Sequence, residues 1–205
     1  SEYRAKLRTK PYIFERSQSV KPGEILEAKN VEATIRDLYR TGIFTSIEPV
    51  VTGKENNPNA RSVEFLVEER PTTTINGSIS YGTSVGLVGE LKLSDSNFLG
   101  RGQEASASIS ASNKGDKTFD LSWFDPWLRG TERVQAGGSI YWTESVDDNA
   151  DSEEVEKVKK YGTRWTIGKG LNSDIFVRLS ARYDHFKELL GNKTINDKYN
   201  LIAIT

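Results

Sequence analysis

"QEASASISAS", residues 103–112, alternates so regularly between small apolar residues and serine that it has three readings: a flexible tether, a silk-like stacking segment, or one β-strand with a different solvent on each face. Ala105, Ala107, Ile109 and Ala111 take one parity, and Glu104, Ser106, Ser108 and Ser110 the other. A period of two is the period of a strand, since successive side chains leave a pleated backbone on opposite sides. Charged Glu104 and Lys114, and the turn "NKGD" at 113–116, make the stretch one arm of a hairpin. Its Ala and Ile side then faces lipid or an outer wall, and its Ser side faces water.

The same texture runs from Pro71 to the end of the chain. Ile75, Gly77, Ile79 and Tyr81 alternate with Asn76, Ser78 and Ser80, and Leu87, Gly89, Leu91 and Leu93 alternate with Val88, Glu90, Lys92 and Ser94. Further strands are expected around 118–124, 134–143, 161–167, 175–184 and 199–205, about eight in all. Each is near the roughly nine to eleven residues with which a tilted strand crosses a bilayer. A soluble antiparallel sandwich would alternate as well. Two features favour the membrane. Segments near 145–157 and 189–197 read as long loops on one side of the sheet, with mostly short turns on the other. Phe98, Trp123, Trp127, Tyr141, Trp142, Tyr161, Tyr183 and Phe186 lie mostly toward strand ends, as in interfacial girdles, whereas a sandwich buries its tryptophan mid-strand.

Composition sets wide bounds. The 205 residues are 36% hydrophobic and 28% charged, outside the disordered class. Mean hydropathy is −0.56 and no apolar run reaches the roughly 18 residues of a membrane helix, but hydropathy is nearly blind to barrels. A net charge of −1 makes no case for nucleic acid. Without Cys there are no disulfides or thiolate metal sites, and without Met the chain reads as a piece of a longer protein.

Residues 1–70 differ. A weak strand is expected at 2–7, then a short helix in "KPYIFERSQ" with Thr9 as N-cap and Pro11 in the first turn. After the turn "KPGE" at 21–24, Ala28, Val31, Ile35 and Leu38 share one face of a second helix, which ends at Gly42. Strands are expected at 44–52 and 62–68, around a polar loop "GKENNPNA" at 53–60. The order β-α-α-β-β is that of a small α+β domain with helices on one sheet face.

Two groups of residues resemble a known family. "IRDLYRTGIFTSIEPVV", "KPGEIL" and "VEFLVEERP" resemble a POTRA (polypeptide-transport-associated) domain. "SISYGTSVGLVGELKLSDSNFLGRGQE" and "LSWFDPWLRGT" resemble the opening barrel strands of the BamA family of outer-membrane barrel assembly proteins. The resemblance implies a last POTRA domain at 1–70, in the periplasm, and the N-terminal part of an outer-membrane β-barrel at 71–205. It implies a barrel of roughly sixteen strands, with no counterpart here of the family's later Arg-Gly-Phe-type loop motif. The eight strands are then the front of a larger barrel, a closed small barrel, or one half of a pair; the first is favoured.

No catalytic constellation survives inspection, and no cofactor is expected. "GTSVG" at 82–86 matches a nucleophile elbow, but a strand rather than a helix follows it, and a hairpin turn explains it. Asp147, Asn149 and Asp151 have calcium-loop spacing, but glycine and the closing Glu are missing, so a solvated loop is the simpler reading. His185, beside Asp184, is the chain's single His and reads as a strand-end residue. What remains is an edge. By resemblance, the barrel's first strand opens laterally and templates incoming strands, through Thr74, Ile75, Asn76, Gly77, Ser78, Ile79, Ser80 and Tyr81. The implied partners are unfolded outer-membrane protein clients, accessory assembly lipoproteins and the lipid bilayer. A secretion pore of the same superfamily, including a barrel with a patatin-like passenger, is the alternative; the glycines in this strand are also ordinary for a barrel wall.

Overall fold

A computed structural model describes residues 7–54, 57–131, 133–147, 156–171, 175–190 and 193–204. The chain forms two compact units, one of residues up to Thr72 together with Ser96–Gly102, the other of Thr73–Asp95 and the residues from Gln103 onward.

The first unit holds α1 (Pro11–Ser17), α2 (Ala28–Arg40), and an antiparallel hairpin of β1 (Phe44–Lys54) and β2 (Asn57–Glu69). The strand expected at 2–7 lies almost wholly outside the described residues. Pro11 begins α1, where a missing N–H costs nothing, but the N-cap is Lys10 without a side-chain bond. Thr9 is not the cap because its hydroxyl is buried and engaged elsewhere. On α2, Leu38 and Ile35 face the core as expected, with two departures. Ala28 is exposed, and Thr34 is buried with Leu38. Burial of Thr34 is stabilised because its hydroxyl donates to Asn30 O at 2.9 Å and accepts from Ser19 N at 2.9 Å. Ile13, Leu38, Ile43, Phe44 and Ile47 form the core, flanked by Phe14, Ile35, Phe65 and Val67. The polar segment 53–60 is mostly strand: β2 already begins at Asn57, because backbone pairing with β1 continues past the last apolar pair, Val51 and Val63.

The second unit is one antiparallel meander of eight strands, each hydrogen-bonded to its neighbours in chain order: β3 (Thr73–Gly82), β4 (Gly86–Phe98), β5 (Gln103–Ser112), β6 (Lys117–Asp125), β7 (Val134–Asp147), β8 (Glu156–Gly170), β9 (Phe176–Leu190) and β10 (Lys193–Ile204). Its edges are β3 and β10, so the sheet is open. Register carries an apolar face across β3–β4 and across β5 to β9. Ile75 lies opposite Leu93 and Tyr81 opposite Leu87. Ile109 meets Phe119, Leu121 meets Ile140, and Trp165 meets Ala181. The opposite face is polar, with hydroxyl pairs Thr74–Ser94 and Ser106–Ser122 at 2.8 Å and Thr166–Ser180 at 3.2 Å. The 103–112 stretch is β5, with its Ala and Ile residues on the apolar side.

Three expectations need correction. The segment near 189–197 is not a long loop, because β9 runs to Leu190 and β10 starts at Lys193. The acidic connection shortens too, since β7 reaches Asp147 and β8 begins at Glu156; Asn149 and Asp151 lie outside the described residues. Tyr141 and Phe186 are not on the lipid-type face, because their parity puts them opposite Asp120 and Lys160, on the polar one. In β10 the parity itself inverts. Tyr199 and Leu201 stand opposite Asp184 and Arg182 on the polar face, and Tyr199 packs edge-on against Phe186 at 5.4 Å.

Candidate functional site: the first edge of the sheet

All eight residues expected to bind a client strand, Thr74 to Tyr81, lie on β3, at one edge of the sheet. Every second residue of an antiparallel edge strand turns its N–H and C=O away from its one partner, leaving a row of unpaired donors and acceptors. β3 is open on its faces as well: Ile75, Ile79 and Tyr81 are 71%, 81% and 75% exposed.

The hairpin that carries this edge has a fixed register. "GTSVG" is its turn, with Gly82 opposite Gly86 and a strand on each side, so the hydrolase-elbow alternative has no helix to stand on. Gly86 has a φ of 75°, and a side chain there would run into Asn113. Asn113 in turn accepts the Leu87 N–H on Oδ1 at 2.8 Å and donates its own backbone N–H to Leu87 O at 2.9 Å. Lys114 Nζ donates to Ser84 O at 2.9 Å, so the neighbouring β5–β6 turn holds the tip. A one-residue slip of β3 would reverse its two faces, and this closure opposes it.

Beside the edge, Gly77 and Gly89 leave a shallow concavity of about 700 Å³ on the apolar face, with Ile79, Leu91, Ile109 and Ala111 around it. A Cβ on Gly89 would meet nothing within 4 Å, and on Gly77 only Glu90 O at 4.0 Å. These glycines therefore thin the wall without being required by its packing.

Two polar clusters escaped the sequence reading. In the first unit, Asn97 is 1% exposed. Its Nδ2 donates to Thr9 Oγ1 at 2.9 Å, and its Oδ1 accepts the Gly102 N–H at 2.8 Å. Lys10 N donates to Gly100 O at 2.7 Å, and Gly100, at φ 71°, has no room for a side chain against Arg8 O. Glu69 accepts the Arg8 and Thr9 N–H groups at 2.9 and 2.7 Å. Partial burial works to raise the Glu69 pKa, but the bonds from Thr9 and Arg8 outweigh it and hold the carboxyl below its usual value. The motif "NFLGRG" at 97–102 carried a signal, two glycines behind a polar residue, that reads equally well as a plain turn.

The second cluster is on the polar face of β7–β9, where Tyr141, Gly162 and Asp184 form one cross-strand row. Tyr141 Oη donates to Asp184. Arg182 donates to Tyr141 Oη at 2.9 Å and pairs with Asp184 at 2.7 Å, and Lys160 lies 3.8 Å from the same carboxylate. His185 takes the other parity, where it stacks on Tyr161 at 4.7 Å and lies opposite Lys198.

An antiparallel meander whose strands run from 9 to 15 residues, one face apolar and exposed, the other polar, defines the wall of a transmembrane β-barrel. Residues 97–203 match the Omp85 superfamily domain, just over half of the chain. The chain belongs to the Omp85 superfamily. It is 21% identical over 187 residues to the outer membrane protein assembly factor BamA of Neorickettsia risticii, covering 90% of this chain and 24% of that protein. Over 130 residues it is 25% identical to an outer membrane protein assembly factor of Treponema pallidum, covering 60% and 15%. Its fold is similar to that of Haemophilus ducreyi BamA lacking POTRA domains 1–3, with a TM-score of 0.75 at 21% identity, covering 96% of this chain and 40% of that one. It is also similar to CdiB from Acinetobacter baumannii, at 0.64 and 10%, covering 98% and 40%. The resemblance to the BamA family read from the sequence is borne out, and with it the bacterial outer membrane as location. The chain spans about a quarter or less of the curated relatives it matches.

Proposed function

We propose that this chain is the membrane-proximal periplasmic POTRA domain and the front of the barrel of a protein that folds and inserts outer-membrane β-barrel proteins. β3 is the templating edge. An unfolded client strand pairs with the backbone of Thr74 to Tyr81 by β-augmentation, and no covalent bond changes. Accessory lipoproteins and the bilayer complete the working assembly. The observation that carries this reading is an edge strand exposed from Thr73 to Tyr81, whose hairpin tip is held in register by Asn113 and Lys114 of the next hairpin. A template needs both, because an open edge without register would accept strands with either face toward lipid.

The relatives support assembly: two bear the name of assembly factor. The likeness to CdiB keeps a secretion pore as the second reading. An Ile79→Pro substitution separates them in cells that depend on the full-length protein. Proline deletes a backbone donor and stiffens the edge. Loss of newly assembled barrels in the outer membrane, with the variant itself present and folded, is the expected result. Normal barrel assembly in those cells would remove β3 from the mechanism.

A further inference from the structure

We infer that the apolar face carries a binding row for the phosphate of an anionic membrane lipid, at the end of the sheet where the β5–β6, β7–β8 and β9–β10 hairpins turn. Register places Lys117, Glu144, Lys159 and Lys187 side by side in one row across β6 to β9. Lys157 stands one row further out, and Lys198 one row inward on β10. Glu144 is the one carboxylate in that row, and it pairs with Lys159 at 3.3 Å. Asp116, in the adjoining turn, is committed to Ser112 Oγ at 2.9 Å and to the Val146 N–H at 3.0 Å. Lys159 and Lys187 are direct cross-strand neighbours of like charge, an arrangement that destabilises a sheet and that a bound anion would relieve.

The height of the row decides what that anion is. The next row inward is aromatic: Phe119, Trp142, Tyr161 and His185. Below it come Leu121, Ile140 and Tyr183, then Trp165 and Ala181. Lys159 is ten positions from Lys169, the lysine on the same face at the other end of β8. That interval matches the roughly nine to eleven residues of one bilayer crossing. An aromatic belt with lysines just beyond it is the level of lipid headgroups, and ammonium groups there meet phosphate. Continuity with the apolar face selects a lipid over a free ion, since the acyl chains of the same molecule lie along Tyr161 and Trp165.

The test uses the full-length protein folded in dodecyl maltoside and titrated with dihexanoyl phosphatidic acid. Dihexanoyl phosphatidylcholine and inorganic phosphate are run in parallel. Native mass spectrometry reads occupancy, and heat-modifiable gel mobility confirms the fold of each variant. Phosphatidic acid is expected to bind at least tenfold more tightly than either comparison molecule. The triple variant Lys157→Gln/Lys159→Gln/Lys187→Gln is expected to lose that preference, while Lys92→Gln, on the polar face of β4, retains it. Equal affinity for the two lipids, or an unchanged triple variant, would overturn the proposal. Inorganic phosphate binding as tightly as phosphatidic acid would overturn the lipid assignment.

Discussion

The two units handle apolar side chains in opposite ways. Among the described residues, every buried apolar side chain, Ile13, Leu38, Ile43, Phe44 and Ile47, belongs to the small helical unit. The eight-stranded sheet, the larger of the two, has none among the described residues; its Ile79, Ile140 and Trp165 are 81%, 52% and 60% exposed. The first unit makes its own apolar solvent by packing helix against sheet. The second takes the bilayer as its apolar solvent, and so needs only a face rather than a core.

Truncation should separate the units most sharply. Leu38→Ala leaves a cavity in a packed core and is expected to cost about 2–5 kcal/mol, read as faster amide exchange throughout α1, α2 and the β1–β2 hairpin. The sheet should be insensitive to it. Conversely, Leu121→Arg puts a charge on the apolar face in mid-strand and should cost about 2–4 kcal/mol of folding into lipid vesicles. Ser122→Arg, one residue on and facing the other way, should fold nearly as the parent does. Similar losses for the two arginine variants would show that the faces are misassigned.

A smaller effect is expected at Asn97. Asn97→Ala strips the buried Gly102 N–H of its acceptor and Thr9 of its donor, a loss of about 1–3 kcal/mol. Exchange at Gly102 and in the Thr9 region should accelerate before that in α2. Smallest is the response to acid. The folded pKa of Glu69 is depressed, so its bonds to Arg8 and Thr9 contribute stability above the ordinary carboxylate range. That contribution is lost as pH falls through the lowered value. Acid should therefore loosen the parent more than Glu69→Gln, and equal acid sensitivity in the two would deny the carboxylate this role.

All eight strands of the sheet were legible from period two, but the face that β10 turns each way was not, since its parity inverts against β9. Their ends were not. β4, β7, β8 and β9 continue to Phe98, to Asp147, back to Glu156 and to Leu190, past the regular alternation, because antiparallel backbone pairing extends the strand there. In the helical unit the apolar periodicity found both helices, yet it missed Thr34, a polar residue buried because the backbone answers its hydroxyl. The Asn97 cluster was invisible for a different reason. Its partner Thr9 is 88 positions away, and neither residue has a local reason to be buried. At the candidate edge, sequence could name β3 as the first strand, but not that Asn113 and Lys114 of another hairpin fix its tip.

Single cysteines along β3, paired with single cysteines along the terminal strand of a client barrel during its assembly by the full-length protein, test the templating edge most directly. Disulfides are expected at Thr74 to Tyr81 that follow one antiparallel register, and none from matched positions on β7 in the middle of the sheet. Cross-links scattered without register, or equally frequent at β7, would contradict it.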